Sequence, residues 1–370
     1  MIFQYKKVGI AAMSYLLPEK VVTSEEIEEE LLPIYQHYKL RVGRLQLMTG
    51  IKERRVGEES VPPSETAAKV VEKLFATTDA VDTVDLRRVE LVIYAAVCRD
   101  LLEPATASIV HAKLKKWGLG AATMFFDLSN ACLGVINALV VAAEMLERGT
   151  IKNALIVSAE NSATLLKATI KHLLAKFNQG QLGREELKRH LASFTIGSGA
   201  FAMLLTHQHQ LPHPNCNYHR IVGGSVLSDT SAAGLCRGAA DSNDGGLLME
   251  TDSERLLQAG IALAVENWPR CLSILKEQVN SREGNSTEWI PDHIVTHQVG
   301  VAHQRLLAEK LNLDPQKIYS RFSVLGNTGS VAMPIALAMA AEEGIIKEQE
   351  KVALLGIGSG LSSIMLGVEW

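Results

Sequence analysis

The sequence predicts an α/β protein of two similar βα halves packed as a layered α/β/α/β/α core. Three observations carry this expectation: an internal repeat, a set of strand-to-helix junctions that each hold a reactive side chain, and an ordinary globular composition. At 370 residues the chain can bury a large core. Its 47% hydrophobic and 21% charged residues describe a folded protein with an apolar interior. A formal charge of −4 gives no electrostatic reason to expect nucleic acid or an anionic membrane as a partner. No N-terminal segment has the form of a signal peptide, and no apolar run is long enough to span a bilayer. Cys98, Cys132, Cys216, Cys236 and Cys271 are scattered without a framework spacing, which predicts reduced thiols in the cytoplasm.

The repeat comes first. Ala138-Leu139, Ala142-Ala143-Glu144, Gly149, Ile151-Lys152 and Ala154-Leu155 form one copy. Ala336-Leu337, Ala340-Ala341-Glu342, Gly344, Ile346-Lys347 and Ala353-Leu354 form the other. Each copy is followed by the same glycine signature, Ile196-Gly197-Ser198-Gly199 and Ile357-Gly358-Ser359-Gly360. The halves are taken as residues 1–208 and 209–370, the first enlarged by an insertion at about 161–193. Within it, LLKATIKHLLAKF and REELKRHL read as amphipathic helices about the turn Asn178-Gln179-Gly180. They are expected to cover the sheet and contact a partner subunit, or to line an acyl tunnel with Leu165, Leu166, Ile170, Leu173, Leu174 and Phe177.

Cys132 falls where a strand becomes a helix. Met124–Leu128 (MFFDL) has the length and hydrophobicity of a buried strand, and 133–148 has helical apolar spacing. Ser129 and Asn130 are N-cap types, which puts Cys132 in or next to the first helical turn, where the dipole favours a thiolate. A thiol so presented suits covalent acyl transfer. A second junction, IVTHQVG at 294–300, ends a short strand on His297. A third, LGNTGS at 325–330, holds Asn327 in a glycine-bracketed loop before the helix 331–342. The repeat places Cys132 and Asn327 at equivalent helix starts. Glu103 stands before Pro104, between a strand at 91–97 and a helix from Ala105. By position alone it is a solvated carboxylate at a helix N-terminus. His207, His209, His213, Cys216 and His219 crowd one segment, whose prolines fit an exposed linker better than a metal site, so no metal is expected. Gly197-Ser198-Gly199 lacks the rest of a dinucleotide fingerprint and is assigned to backbone packing.

A cysteine, a histidine in HQ and an asparagine in GN, in that order, resemble the thiolase-fold condensing enzymes, with β-ketoacyl synthase III as the general pattern. RDLLEPATASIV, SNACL, LCRG and ALLGIGSGL sharpen the likeness to the OleA-type thiolases of bacterial olefin biosynthesis, over nearly the whole chain. His297 precedes Gln-Val-Gly where synthase III has Gln-Ala-Asn, and Asn327 precedes Thr-Gly rather than Thr-Ser. The resemblance implies a cytoplasmic homodimer joining two long-chain acyl-CoA molecules by non-decarboxylative Claisen condensation to a 2-alkyl-3-oxoalkanoate. Cys132 would be the acyl acceptor, and His297 with Asn327 would stabilise the enolate. Glu103 in the LEP motif would reach into the partner's site as base. Gly358 and Gly360 would line the oxyanion pocket, and Arg237, with Arg44 or Arg54, would meet coenzyme A phosphates. No cofactor beyond the acyl-CoA substrate is implied, and the partners would be enzymes downstream in olefin formation. The alternative is a decarboxylative β-ketoacyl-ACP synthase III using malonyl-ACP.

Overall fold

The computed structural model describes residues 1–77, 85–211, 218–240, 246–283 and 288–370. The first half supplies β1 (Ile2–Gln4), β2 (Val8–Leu16), β3 (Val21–Thr23), β4 (Glu53–Arg55), β5 (Leu91–Ala95), β6 (Met124–Leu128), β7 (Asn153–Glu160) and β8 (Gly199–His207). The second supplies β9 (His219–Ser228), β10 (Cys236–Ala240), β11 (Leu247–Thr251), β12 (His293–Thr296), β13 (Ile318–Tyr319), β14 (Lys351–Gly358) and β15 (Ser362–Glu369). One sheet runs β13-β12-β14-β15-β9-β2-β8-β7-β5-β6, with β1 beside β9. Outward from its centre, β2-β8-β7-β5-β6 and β9-β15-β14-β12-β13 are one pattern written twice. Strand directions agree throughout. β8 is antiparallel to β2 and β7, and β5 is parallel to β7 and β6. β15 is likewise antiparallel to β9 and β14, and β12 is parallel to β14 and β13. The sequence repeat is therefore a repeat of topology. The glycine signatures sit at equivalent places, at the entry to β8 and at the turn from β14 into β15.

The helices Gly134–Glu147 and Ala332–Glu342 are apolar nearly all round, so each must be covered on both sides. They share one cluster with residues from both half-sheets, among them Ile93, Ile156, Phe201, Leu354 and Leu366. Outside the first half-sheet, the helices Pro63–Thr77 and Thr106–Leu114 close a second cluster. Outside the other half-sheet, Ser253–Glu283 and Val301–Leu311 close a third. The order helix, sheet, helices, sheet, helix is the expected five-layer core. Among the described residues no helix is long and apolar enough to cross a membrane.

Three expectations need correction. β6 is the last strand of the sheet rather than a buried one, and Met124 and Phe125 are exposed on it. The insertion helices Ala163–Asn178 and Arg184–His190 cover the N-terminal segment instead of the sheet. Leu165 is buried, while Leu166, Ile170 and Leu173 pack with Ile27, Ile34 and Tyr35, and Leu174 and Phe177 lie at the edge of that cluster. The histidine-rich segment is not wholly a linker: His207 ends β8, and His219 opens β9 stacked on Trp370. His213 and Cys216 lie outside the described residues. Leu139 is wholly buried between the half-sheets. Leu139→Ala should cost about 2–5 kcal/mol in urea unfolding, while Leu47→Ala, at an exposed position, should leave the midpoint within error.

Candidate active site

Cys132 and His297 follow the C-terminal ends of the parallel strands β6 and β12, where open α/β sheets place their ligands, and Asn327 comes after β13 and the short helix Phe322–Leu325. Cys132 follows β6 in a tight turn whose residue Ala131 takes a left-handed φ of 44°. The Leu133 N–H donates to Asn130 O at 2.9 Å and the Gly134 N–H to Ala131 O at 3.1 Å. The helix caps on Leu133 without any side-chain bond, so Ser129 and Asn130 are not its caps. Asn130 Nδ2 donates instead to Asn137 Oδ1 at 2.9 Å. The turn, not a capping side chain, presents the thiol at the helix start. The strain at Ala131 is of the kind that collects at functional turns.

Asn327 stands near enough to Cys132 to act on its thiol. Three backbone contacts seat it. Its N–H donates to Thr195 O at 2.8 Å, the Gly197 N–H donates to its carbonyl at 2.9 Å, and the Gly329 N–H donates to Oδ1 at 3.0 Å. A Cβ on Gly197 would stand 2.1 Å from Leu325 O, which is why the glycine signature of the first half is needed there. Its expected packing role is thus to hold the Asn327 loop. Gly358 has the matching duty at the end of β14, where a Cβ would lie 2.9 Å from Leu133 Cγ, beside Cys132. Gly360 is exposed in the following turn, with a φ of 124°.

His297 is buried at the end of β12, its N–H donating to Leu355 O of β14 at 3.2 Å. Gln298 is structural: its Nε2 donates to Thr296 O, and its Oε1 accepts from the Arg321 and Phe322 N–H groups just ahead of the Asn327 loop. Burial holds the His297 imidazole neutral, down to about 3, with His303 adding to the effect. A neutral imidazole and a primary amide can donate to a carbonyl that gains negative charge.

Burial pushes the Cys132 thiol up to about 12, and the Glu160 carboxylate and Cys236 add to it, while the Asn327 hydrogen bond pulls the other way. The expected dipole-stabilised thiolate is therefore not the resting form; desolvation outweighs the helix end. Glu160, which sequence reasoning passed over, ends β7 and is 7% exposed. It is the carboxylate acting on this thiol. Glu103 is elsewhere: it is exposed on the loop after β5 and has no hydrogen-bond or ion-pair partner among the described residues. The helix N-terminus near it is satisfied by Asp127, which accepts the Thr106 and Ala107 N–H groups at 2.8 and 2.7 Å.

Of the suggested phosphate contacts, Arg54 fails. It is 0% exposed, with Nη1 donating to Val22 O and Nη2 to Ser24 Oγ. Arg44 lines a groove of about 270 Å³ with Tyr38, Met48, Arg184 and Lys188. Arg237 is exposed on β10, one residue beyond Cys236. Among the described residues His172, Glu186 and His190 have ligand atoms within 4.8 Å of one another. The Lys176 ammonium lies 3.4 Å from Glu186 Oε1, and His190 Nδ1 pairs with Met249 O at 3.1 Å, so the cluster is a hydrogen-bonded ion pair.

A cysteine at one helix start, near an asparagine at the matching start in a duplicated five-layer core, defines a thiolase-type condensing enzyme. Residues 126–180 match the family described as 3-oxoacyl-[acyl-carrier-protein] synthase III, and residues 286–370 match that described as its C terminal. An acyl-CoA:acyl-CoA alkyltransferase of Shewanella oneidensis is 34% identical over 99% of this chain and 100% of its own. The Xanthomonas campestris protein of the same name is 34% identical over 99% of each. A crystal structure of X. campestris OleA with bound lauric acid and lauroyl-CoA superposes with a TM-score of 0.84 at 32% identity, covering 99% of this chain and 100% of that one. A β-ketoacyl-[acyl-carrier-protein] synthase III of Clostridioides difficile is 27% identical over 98% of each chain. The chain belongs to the acyl-CoA:acyl-CoA alkyltransferase family.

Two outcomes follow from the site's electrostatics. Iodoacetamide should label Cys132 slowly at pH 7 and faster as pH rises through the alkaline range, and Glu160→Gln should speed labelling at fixed pH by removing a negative neighbour; no acceleration would detach Glu160 from the thiol. His303 and His219 are lowered by burial to about 4, as His297 is to about 3. In the unfolded chain these imidazoles take up protons near their ordinary value of about 6.5. Stability from keeping them neutral is therefore complete above that pH and is lost as pH falls toward the folded values. The thermal midpoint should drop between pH 6.5 and 4, with a shallower slope in His303→Gln; an unchanged slope would exclude His303 as a source.

Proposed function

We propose that this chain works as a cytoplasmic homodimer that joins two long-chain acyl-CoA molecules by a non-decarboxylative Claisen condensation, without a cofactor or metal. The observation that carries this is Glu103: a carboxylate with no hydrogen-bond or ion-pair partner among the described residues, on an apolar loop turned outward. Leu101 and Leu102 precede it, the latter 93% exposed; Val97 is exposed past the end of β5, and Met124 and Phe125 are exposed at the start of the edge strand β6. β6 ends the sheet there with an unpaired edge, which a second copy of the chain would cover. Family membership supports the chemistry, as does the X. campestris relative solved with lauroyl-CoA.

In the first half-reaction the Cys132 thiol loses its proton and attacks the acyl-CoA carbonyl; coenzyme A leaves as the thiol. The Gly358–Gly360 turn beside Leu133 supplies backbone donors for the oxyanion. In the second, Glu103 of the partner subunit removes the α-proton of the second acyl-CoA. His297 and the Asn327 amide donate to the thioester oxygen as it becomes an enolate. The enolate carbon attacks the Cys132 thioester, a carbon–carbon bond forms, and the Cys132 sulfur leaves. Hydrolysis of the β-keto thioester then yields the 2-alkyl-3-oxoalkanoate, a substrate for downstream enzymes of olefin formation. Arg44, Arg184 and Lys188 rim a groove suited to coenzyme A phosphates, with Arg237 a further contact.

Purified protein given myristoyl-CoA alone should release coenzyme A and form the β-keto acid or its ketone by mass spectrometry, and Glu103→Ala should acylate Cys132 yet form no condensed product. Acylation with no condensation until malonyl thioester is added would replace this reading by the synthase III one.

A further inference from the structure

Glu160 accepts four hydrogen bonds at one buried point. Oε1 takes the Val97 N–H at 2.9 Å, the Ser330 hydroxyl at 2.6 Å and the Ser330 N–H at 3.3 Å, and Oε2 takes the Cys98 N–H at 3.1 Å. Three of these fall on Oε1, so that oxygen is fully used by donors of the protein itself. Its partners lie on two different segments. Ser330 belongs to the Asn327 loop, where Gly329, at a φ of 61°, brings its Cα so close that a Cβ would stand 3.2 Å from Glu160. Val97 and Cys98 are the root of the loop that carries Glu103. That root is pinned further: Tyr94 Oη donates to Cys98 O at 2.8 Å, and Asp100 accepts the Ser64 N–H at 2.8 Å. Beyond it, Leu101 to Pro104 are exposed.

We propose that Glu160 is a positioning residue shared between two active sites: one carboxylate sets the Asn327 loop of its own site and the Glu103 loop delivered to the site of a second copy. The inference rests on the condensation reading above, in which the base acts across the dimer. Each site then depends on two Glu160 side chains, its own for the enolate donor and the other subunit's for the base. Replacing the carboxylate leaves buried N–H donors unpaired at both ends, and a shift of about 1 Å in a reacting group can cost roughly a hundredfold in rate.

Mixed dimers, purified through two tags, separate the two arms. In the control, a Cys132→Ser chain is paired with an unsubstituted chain, leaving one working thiol. Pairing Cys132→Ser with Glu160→Gln puts the substitution in the working site. Pairing a doubly substituted Cys132→Ser, Glu160→Gln chain with an unsubstituted chain puts it only behind the delivered Glu103. Both arrangements should lower condensation of myristoyl-CoA by about tenfold to a hundredfold while Cys132 still acylates. Ser330→Ala, which cuts only the Asn327 end, should act only when it shares the chain of the working thiol. Control rates in the second arrangement, or loss of acylation with a lowered thermal midpoint in both, would overturn the shared role. If the control dimer itself condenses only with malonyl thioester, the Glu103 reading has failed instead and takes this proposal's second arm with it.

Discussion

The arrangement depends on one constraint: two helices that are apolar on nearly every face must be buried between the two halves of the sheet. Neither Gly134–Glu147 nor Ala332–Glu342 could survive on a surface, since each would expose most of its side chains to water. Burying both in one layer forces their starts into the same region, because each begins at the C-terminal end of an equivalent strand. Cys132 and Asn327 are therefore neighbours as a consequence of core packing, close enough for Asn327 to act on the thiol. The glycines at 197 and 358 let the backbone close to the distances that this meeting demands.

The same burial sets the chemistry. Taking a thiol, two imidazoles and a carboxylate out of water favours their neutral forms unless hydrogen bonds compensate. The four groups are treated differently. Glu160 accepts four hydrogen bonds; His297 and His303 are left neutral, each with Nδ1 unpaired among the described residues. Cys132 is held as a thiol by the combination. A site of this kind is quiet until a substrate displaces solvent and supplies a carbonyl for the donors. Its reactivity comes from prearranged hydrogen-bond donors more than from a permanently ionised nucleophile.

Much of this was legible in the sequence, and the reasons for the rest are physical. The repeat could be read because two halves facing a common layer need the same small residues at the same steps, as in Ala142-Ala143-Glu144 and Ala340-Ala341-Glu342. Cys132, His297 and Asn327 stood out because reactive side chains at strand-to-helix junctions break an otherwise apolar pattern. Glu160 did not. At the end of NALIVSAE a glutamate looks like the point where a buried strand meets water, and nothing local marks the Val97, Cys98 and Ser330 donors, up to 170 residues away, that hold it. The available signal was its place at the C-terminal end of a parallel strand, the position shared by the other site residues. The N-cap expectation at Ser129 and Asn130 failed because Ala131 turns left-handed, which propensity does not foresee at alanine. Arg54 read as a surface base because charge alone says nothing of a buried cradle such as Val22 O and Ser24 Oγ.

The duplicated halves also differ at one pair of equivalent strand ends. Each half has three parallel strand ends facing the site: those of β5, β6 and β7 in the first, and those of β12, β13 and β14 in the second. β6 and β13 lead to Cys132 and Asn327, while β7 and β14 end in Glu160 and Gly358. The remaining pair, β5 and β12, has diverged. After β12 the chain keeps His297 buried in its own core, within reach of β14. After β5 it leaves the core through the pinned Val97–Cys98 root and carries Glu103 into solvent. Two inward groups at these equivalent ends would have crowded one cavity with a second buried ionisable side chain and its desolvation cost. Turning one of them outward avoids that cost and leaves the carboxylate in water, past the end of the sheet beside the edge strand β6. The asymmetry between the halves follows from that choice.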